Sequence, residues 1–405
     1  MKIGIIKETK IPEDNRVALT PKQIQILKEC NPHVDFIVQP SELRAIGDDE
    51  YREAGINVSD DLKACDILFG IKEADVNTLI PNKHYFFFGH IAKMQPYNRP
   101  LIKKMIDLNI TFTDYEYLVD NNNFRLCAFG WWAGVVGAYN TLRAYGIRSD
   151  AFELPKPNKK FTLDYLLSEV RKHQYDTLKI VVTGNGRVSQ GAQFVLDNIG
   201  IKKIEAQEFL NLEDEEKMPV YTVLGLSDLV THKEEEAFFD RTDFKLNPTL
   251  YKSCFLPYAY IANVFIPCHF WQPDHPIYLS KDDLKDKNLN LKIIGDVTCD
   301  IDGSVASTIK PSTHDNPFYD YNPKTGQEES SFSSENNITI MAVDTLPNAL
   351  AIDTSNYFGE SLMKYIFEDL LTKNIEQNAV IARATILKKG KLTDKYSYLH
   401  DYASV

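Results

Sequence analysis

Two basic residues stand just beyond short apolar runs early in the chain: Lys72, in FGIKEAD, and His90, in FFFGHIAKMQ. Each run reads as a strand, and open parallel sheets hold ligands at the carboxyl ends of their strands. A lysine near another cation and partly out of water has a depressed pKa, so it exchanges protons near neutrality. An imidazole does so without help. Singly, each residue reads as a solvated strand-end cation. At matched strand ends the two read as an acid–base pair sharing one pocket. Arg16, after the turn-rich IPEDN, and Arg125, before CAFG, are candidates for two-pronged carboxylate binding. A surface ion pair is the commoner fate of an arginine.

A second chemistry is written at Gly184-Asn185-Gly186-Arg187-Val188-Ser189-Gln190-Gly191. This G-x-G-x-x-S pattern follows the apolar run Lys179–Thr183 and opens a helical stretch to about Asn198. Gly184 permits a tight turn. Gly186 lets the backbone approach a pyrophosphate, which then sits on the free N–H groups of the helix. Arg187, Val188 and Ser189 complete the turn, Ser189 where a third glycine usually stands, and Gly191 is read as relieving helix–strand packing. The motif alone is weak; the strand before it and the helix after it supply the required context. The alternative is a plain glycine turn in an α/β unit. An acidic residue is expected about 20 residues on, and Glu205 in IKKIEAQE fits, favouring a free ribose hydroxyl and NAD. Arg187, Lys202 and Lys203 are compatible with a 2′-phosphate and NADP, so the cofactor reading is NAD or NADP.

The elements that position these groups follow from periodicity. Lys2–Ile6, Val34–Val38, Asp66–Ile71, His84–Phe88 and Thr111–Tyr115 read as strands. Pro21–Glu29 reads as an amphipathic helix with Thr20 as its cap. CAFGWWAGVVGAYNTLRAYG predicts a buried helix over Trp131–Arg143, with Gly134 and Gly137 admitting another backbone, and is read as a hinge between two domains. Asp150–Lys179 is polar and reads as an insertion carrying one helix. Lys292–Val297 and Ile338–Val343 are later strands, Ser330–Asn337 is a loop, and Asn356–Thr372 is a helix with Phe358, Leu362, Tyr365, Ile366 and Leu370 inward. Alternating strand and helix predict an α/β fold with parallel sheets.

The chain has 405 residues, enough for two or three domains. Its 45 Lys+Arg against 57 Asp+Glu argue against nucleic-acid binding, which needs clustered positive charge. No apolar run reaches the ~20 residues of a membrane helix, and MKIGIIKETK lacks the features of a secretory signal. Of six cysteines none forms C-x-x-C or zinc-ligand spacing, which fits a reducing, cytoplasmic setting and no metal. The expected partner is a small molecule, with neither nucleic acid nor membrane, and the expected state a monomer or small homo-oligomer.

KETKIPEDNRVALTP resembles the opening of the alanine dehydrogenase, transhydrogenase and saccharopine dehydrogenase superfamily. FGIKE, FGHIAKMQPYN, DYEYLVD, CAFGWWAGVVGA, VVTGNGRVSQGA, GDVTCDIDGS and AVDTLP, in that order, resemble the lysine-forming saccharopine dehydrogenases. They are more similar still to the lysine–ketoglutarate reductase domain of the bifunctional aminoadipic semialdehyde synthases, as are QPSELRAIGDDEY and LPYAYIANVFIPCHFWQ. The likeness runs from Lys2 to Leu370, and no counterpart of the second, glutamate-forming enzyme is expected.

The resemblance implies two Rossmann-like domains with parallel sheets flanking an interdomain cleft. Residues 1–130 with 345–405 would form the substrate domain, and 131–344 the dinucleotide domain, with an insertion near 150–178. It implies NAD(P)-dependent interconversion of saccharopine and water with L-lysine and 2-oxoglutarate. It implies Lys72 and His90 as the acid–base pair, Lys72 handling the amine and His90 the water steps. Arg16, Gln95 and Arg125 match positions that contact substrate, Glu73 and Glu116 acidic residues that tune the site. Asp296, on the cofactor side, Asp300 and AVDTLP match loops near the cleft. Asp150–Asp176 has no close counterpart. Reductase domains with an acidic residue like Glu205 use the phosphorylated cofactor, which leaves NAD and NADP both open. The competing readings are an alanine dehydrogenase-like enzyme and a catalytically silent nucleotide-binding regulator.

Overall fold

The computed structural model describes residues 1–212, 218–234, 238–372, 375 and 378–404. The chain forms two compact units, Met1–Phe129 with Leu350–Val405, and Gly130–Ala349.

In the first unit, β1 (Lys2–Ile5), β2 (Asp35–Val38), β3 (Asn57–Val58), β4 (Ile67–Phe69), β5 (His84–Phe87) and β6 (Thr111–Asp114) are parallel, in the order β3-β2-β1-β4-β5-β6. The side chains of β1, β2, β4, β5 and β6 are largely buried on both faces, as parallel strands inside an α/β unit require, while β3, at the edge of the sheet, is not. Helix α1 (Pro21–Cys30) starts on a proline whose missing N–H needs no partner. Gln23 turns back to accept the Thr20 amide at 2.9 Å. Each expected strand is a residue or more shorter than its apolar run: β2 starts one residue late, and the others stop early. The run Asp66–Ile71 contracts to Ile67–Phe69 because the Ile71 and Lys72 amides donate to the Glu8 carboxyl oxygens.

In the second unit, α2 (Gly130–Arg148) outruns its expected end at Arg143. Its last turn is anchored by Arg148, which donates to Thr339 Oγ1 at 2.7 Å and to the Asn337 carbonyl at 2.6 Å. α2 opens the second unit, whose first residue is Gly130. After β7 (Lys179–Thr183), α3 (Arg187–Asn198) crosses α2 at backbone contact. A methyl group on Gly134 would meet Val188 O at 1.8 Å, and one on Gly191 would meet Trp131 O at 1.9 Å. Gly191 therefore makes room for a helix, where room for a strand was expected. Gly137 faces the Val297 side chain, where a backbone was expected.

The remaining strands are β8 (Lys202–Lys203), β9 (Val220–Leu224), the antiparallel pair β10 (Val230–His232) and β11 (Tyr251–Ser253), β12 (Val264–Pro267), β13 (Ile293–Gly295), β14 (Phe318–Asn322), β15 (Gln327–Glu329) and β16 (Ile338–Met341). The second sheet runs β8-β9-β7-β12-β13-β16-β14-β15. The first sheet is completed by β17 (Thr385–Lys388) beside β6, then β18 (Lys391–Leu392). Expected to be parallel, both sheets are so in their bodies but close on antiparallel edges, β17–β18 and β14–β15. The helix expected over Asn356–Thr372 is three pieces. Helix α4 (Ala351–Leu362) passes into a π-helical turn at Met363–Phe367, then Glu368–Thr372. The widened turn carries Phe367, which stacks on Phe69 with ring centroids 5.0 Å apart.

The α2–α3 crossing is testable. Gly134→Val puts atoms where Val188 O stands, and overpacking of this kind costs about 1–3 kcal/mol. A lowered thermal midpoint is expected; an unchanged one would contradict the crossing.

Candidate active site

β4 and β5 are neighbours in register, Ile67 beside His84 and Phe69 beside Phe86. Lys72 and His90 thus leave adjacent strand ends on the same edge of the sheet. Glu73 joins them. Its Oε1 lies 2.9 Å from His90 Nδ1 and its Oε2 accepts Lys10 Nζ at 2.7 Å. Burial alone would raise the Glu73 carboxyl, but the bonds from His90 and Lys10 hold it at about 2. An imidazole whose Nδ1–H donates to a carboxylate presents Nε2 as its lone-pair nitrogen. His90 has φ of 50°, an uncommon backbone state for a residue with a side chain.

Lys72 is partly buried, and among the described residues its ammonium makes no hydrogen bond or ion pair. Burial first, then Arg16, lowers its pKa, with Asp14 and Glu73 opposing. Arg16 is buried and forked onto Asp14, Nε to Oδ1 at 2.9 Å and Nη2 to Oδ2 at 2.5 Å, and lies over the Phe129 ring. Burial would raise Asp14, but Arg16 outweighs it and holds the carboxyl low.

Glu8 stands beside these candidates, and pattern reading passed over it. Its oxygens accept the Ile71 amide at 2.6 Å and the Lys72 amide at 2.8 Å. Burial, then Asp14 nearby, pushes its carboxyl up to about 8 against those two bonds. The available signal was position, since Glu8 in KETK lies just past β1, the strand beside β4. Asp114, at the end of β6, is a second such acid. It accepts the Gly89 and Glu116 amides at 3.2 and 2.9 Å, and burial pushes it up to about 7.

The other expected substrate contacts group differently. Glu116 Oε1 binds Lys93 at 2.9 Å and Arg125 at 2.5 Å. Burial opposes but these cations lower the Glu116 carboxyl, with His90 adding to them. The Arg125 side chain is 47% exposed, so it is reachable by a solute. Gln95 is exposed, and its carbonyl accepts Tyr402 Oη at 2.6 Å.

In the second unit, Gly184 has φ of 91°, which glycine adopts freely. A methyl group there would meet Cys268 O at 2.8 Å. Gly186 caps α3, and a methyl group on it would meet nothing within 4 Å. No protein contact demands a glycine at 186, so its bare backbone faces open space beside amides that no side chain caps. That is the cradle a diphosphate requires, and the turn fits one. Arg187 and Val188 are partly exposed there, while Ser189 is buried and accepts Gln193 Nε2 at 3.0 Å.

Asp296 is buried with its carboxylate committed to its own loop. It accepts Thr308 Oγ1 at 2.6 Å, Thr298 Oγ1 at 2.7 Å and the Thr298 amide at 3.0 Å. Glu205 is exposed beyond β8, and β9 separates that strand from β7. Among the described residues no side-chain cluster could hold a metal ion, and no helix is long and apolar enough to cross a membrane.

Residues 4–136 match the family model of the alanine dehydrogenase/PNT N-terminal domain. Over 98% of its length the chain is 29% identical to alpha-aminoadipic semialdehyde synthase of Arabidopsis thaliana, covering 41% of that protein. Over 95% it is 28% identical to the mitochondrial alpha-aminoadipic semialdehyde synthase of Mus musculus, covering 46%. The chain thus spans less than half the length of these relatives. Over 93% it is 24% identical to the NAD(+)-dependent, L-lysine-forming saccharopine dehydrogenase of Schizosaccharomyces pombe, covering 94% of it. Among solved structures it shares its fold with an L-alanine dehydrogenase, at a TM-score of 0.66 and 16% identity over the whole of both chains. It shares it also with a transhydrogenase from Sinorhizobium meliloti, at 0.62 and 13% identity, over 97% of this chain and all of that one.

Glu8 makes stability depend on pH. Its folded pKa of about 8 stands above the ordinary 4.5, so the fold keeps a proton that the unfolded chain has released. The stability this contributes is complete below about pH 4.5 and is lost as pH rises through about 8. Thermal midpoints of Glu8→Gln are expected to fall less steeply than wild type across that window; equal slopes would contradict the assignment.

Proposed function

We propose that the chain is an NAD(P)-dependent oxidoreductase acting on the CH–NH bond of saccharopine, reversibly interconverting saccharopine and water with L-lysine and 2-oxoglutarate. The observation that carries this reading is Lys72, an ammonium partly out of water, lowered by burial and Arg16, and without a carboxylate of its own. The sequence likeness to saccharopine dehydrogenase along nearly the whole of both chains supports the same substrate.

Saccharopine is a secondary amine, and in its protonated form the carbon beside nitrogen cannot release hydride. Lys72, with its lowered pKa, removes that proton. A bound nicotinamide dinucleotide supplies the hydride acceptor. The resulting imine carbon must then take up water and the adduct must collapse to amine and ketone. These steps need one group that accepts and returns protons. His90 suits them, because Glu73 fixes its Nδ1 and leaves Nε2 for the exchange. Glu8 holds the Lys72 backbone, and Asp14 holds Arg16 close enough to act on Lys72. The substrate carries several carboxylates. Arg125, exposed on Glu116, is the cation best disposed to meet one, and a local positive group is compatible with a net charge of −12. Gly184, Gly186, Arg187 and Val188 would hold the diphosphate when the dinucleotide is bound, Ser189 packs the turn, and Asp296 shapes a loop in the same unit. A cytoplasmic location and a monomer or small homo-oligomer complete the reading.

The test follows reduced-nicotinamide absorbance with lysine plus 2-oxoglutarate, then with pyruvate plus ammonia, using each cofactor. Turnover with the first pair is expected; turnover with the second alone would replace this reading with an alanine dehydrogenase-like one. Lys72→Met and His90→Gln should each lower kcat by about 10²–10⁴-fold with dinucleotide affinity kept. Wild-type turnover in both would remove the proposed chemistry.

A further inference from the structure

We infer that Asp228, and not Glu205, is the acidic residue that reads the adenosine ribose of the dinucleotide. The inference rests on the reading that the glycine turn holds such a cofactor. In a dinucleotide fold the ribose lies over the end of the strand next to the one that carries the turn. In the first unit the parallel strands in chain order lie 3-2-1-4-5-6, so the second strand is that neighbour. In the second unit β8 and β9 have exchanged places, and β7 pairs with β9 throughout, from Lys179–Val220 to Thr183–Leu224. β8 pairs only with β9. At roughly 4.8 Å per strand, β8 lies about 10 Å from β7.

Glu205 is displaced along the strand as well. Lys203 pairs with Tyr221, so Glu205 leaves β8 level with Val223, short of the strand end at Leu224. It then caps the five-residue helix Ala206–Leu210 and is exposed. Its distance from the turn is therefore set by the backbone, and a different rotamer does not remove it.

The loop after β9 stands against the turn. Gly184 N–H donates to Leu224 O at 2.8 Å. The next residue, Gly225, donates its N–H to Asp228 Oδ2 at 2.8 Å, which pins that carboxylate at the strand end. A methyl group on Gly225 would meet Asn185 Nδ2 at 2.7 Å and Asp228 Oδ2 at 3.5 Å. Asn185, inside the glycine turn, and the Asp228 carboxylate therefore flank the same glycine. Among the described residues Oδ1 of Asp228 makes no hydrogen bond. A carboxylate so placed accepts a ribose hydroxyl and repels a 2′-phosphate, so it selects NAD over NADP.

The experiment measures NADH and NADPH affinities of the full chain by nicotinamide fluorescence. Asp228→Asn keeps an oxygen to accept the Gly225 amide while removing the charge, and Asp228→Ser is read in parallel; thermal midpoints verify folding. The ratio of the NADPH to the NADH dissociation constant should fall by about tenfold or more, the scale of one lost charge-assisted hydrogen bond. Glu205→Gln should leave it unchanged. An unchanged ratio in folded Asp228 variants, an equal loss of both affinities, or a shift in Glu205→Gln would overturn the inference and leave the dinucleotide reading standing. Failure of the wild type to bind either dinucleotide would overturn both.

Discussion

Lys72 lies among acids that are all engaged elsewhere. Asp14 is forked by Arg16. Glu73 divides its oxygens between His90 and Lys10. Glu8 accepts two backbone amides and, with its carboxyl pushed up to about 8, keeps its proton near neutrality. The ammonium therefore feels opposite charge only at a distance and feels Arg16 as a repulsion. In water such a lysine would be a plain cation. Partly out of water and unpaired, it is held below an ordinary lysine, which is the direction the proposed base requires. Pairing it with any one of these carboxylates would restore an ordinary, strongly basic lysine.

The sheet makes that arrangement possible. Strands β1, β4, β5 and β6 lie side by side and point one way, so the residues just past each reach one edge together. Glu8 follows β1, Lys72 and Glu73 follow β4, His90 follows β5, and Glu116 follows β6. The second unit repeats the device with different content. The glycine turn follows β7, the Gly225–Asp228 loop follows β9, and Asp296 follows β13. In each unit a buried core backs the strand ends, and in the second unit α2 and α3 touch backbone to backbone next to the turn.

Much of this was legible in the residues. Strands β1, β2, β4, β5, β6, β7, β13 and β16 coincide with short apolar runs bounded by turn residues, and the glycine turn stood in its proper context. Other strands were hidden for physical reasons. VFIP of β12 follows an aromatic, apolar stretch in which no period separates strand from helix. The edge strands β15 and β18 are polar, and β14 and β17 beside them carry Asp320, Asn322 and Thr385 at positions where a central strand would be apolar. The exchange of β8 and β9 has no local signature, because the order of parallel strands is set by long-range packing and not by the pattern of either strand. That is why Glu205, correctly spaced in sequence, follows a strand that does not pair with β7. Glu8 was hidden because a single acid beyond a strand looks like surface, and only its two amide partners give it a role.

The Lys72 ammonium is the group on which the proposed chemistry turns, and its titration tests that chemistry most directly. Lysine carrying ¹³C at Cε, with Lys72→Arg used to assign the signal, lets the midpoint be followed by NMR in the otherwise unaltered chain. A Lys72 midpoint clearly below the ordinary lysine value of about 10.4 is predicted. A midpoint at or above that value would mean the ammonium is solvated or paired, and the base proposed here would not exist.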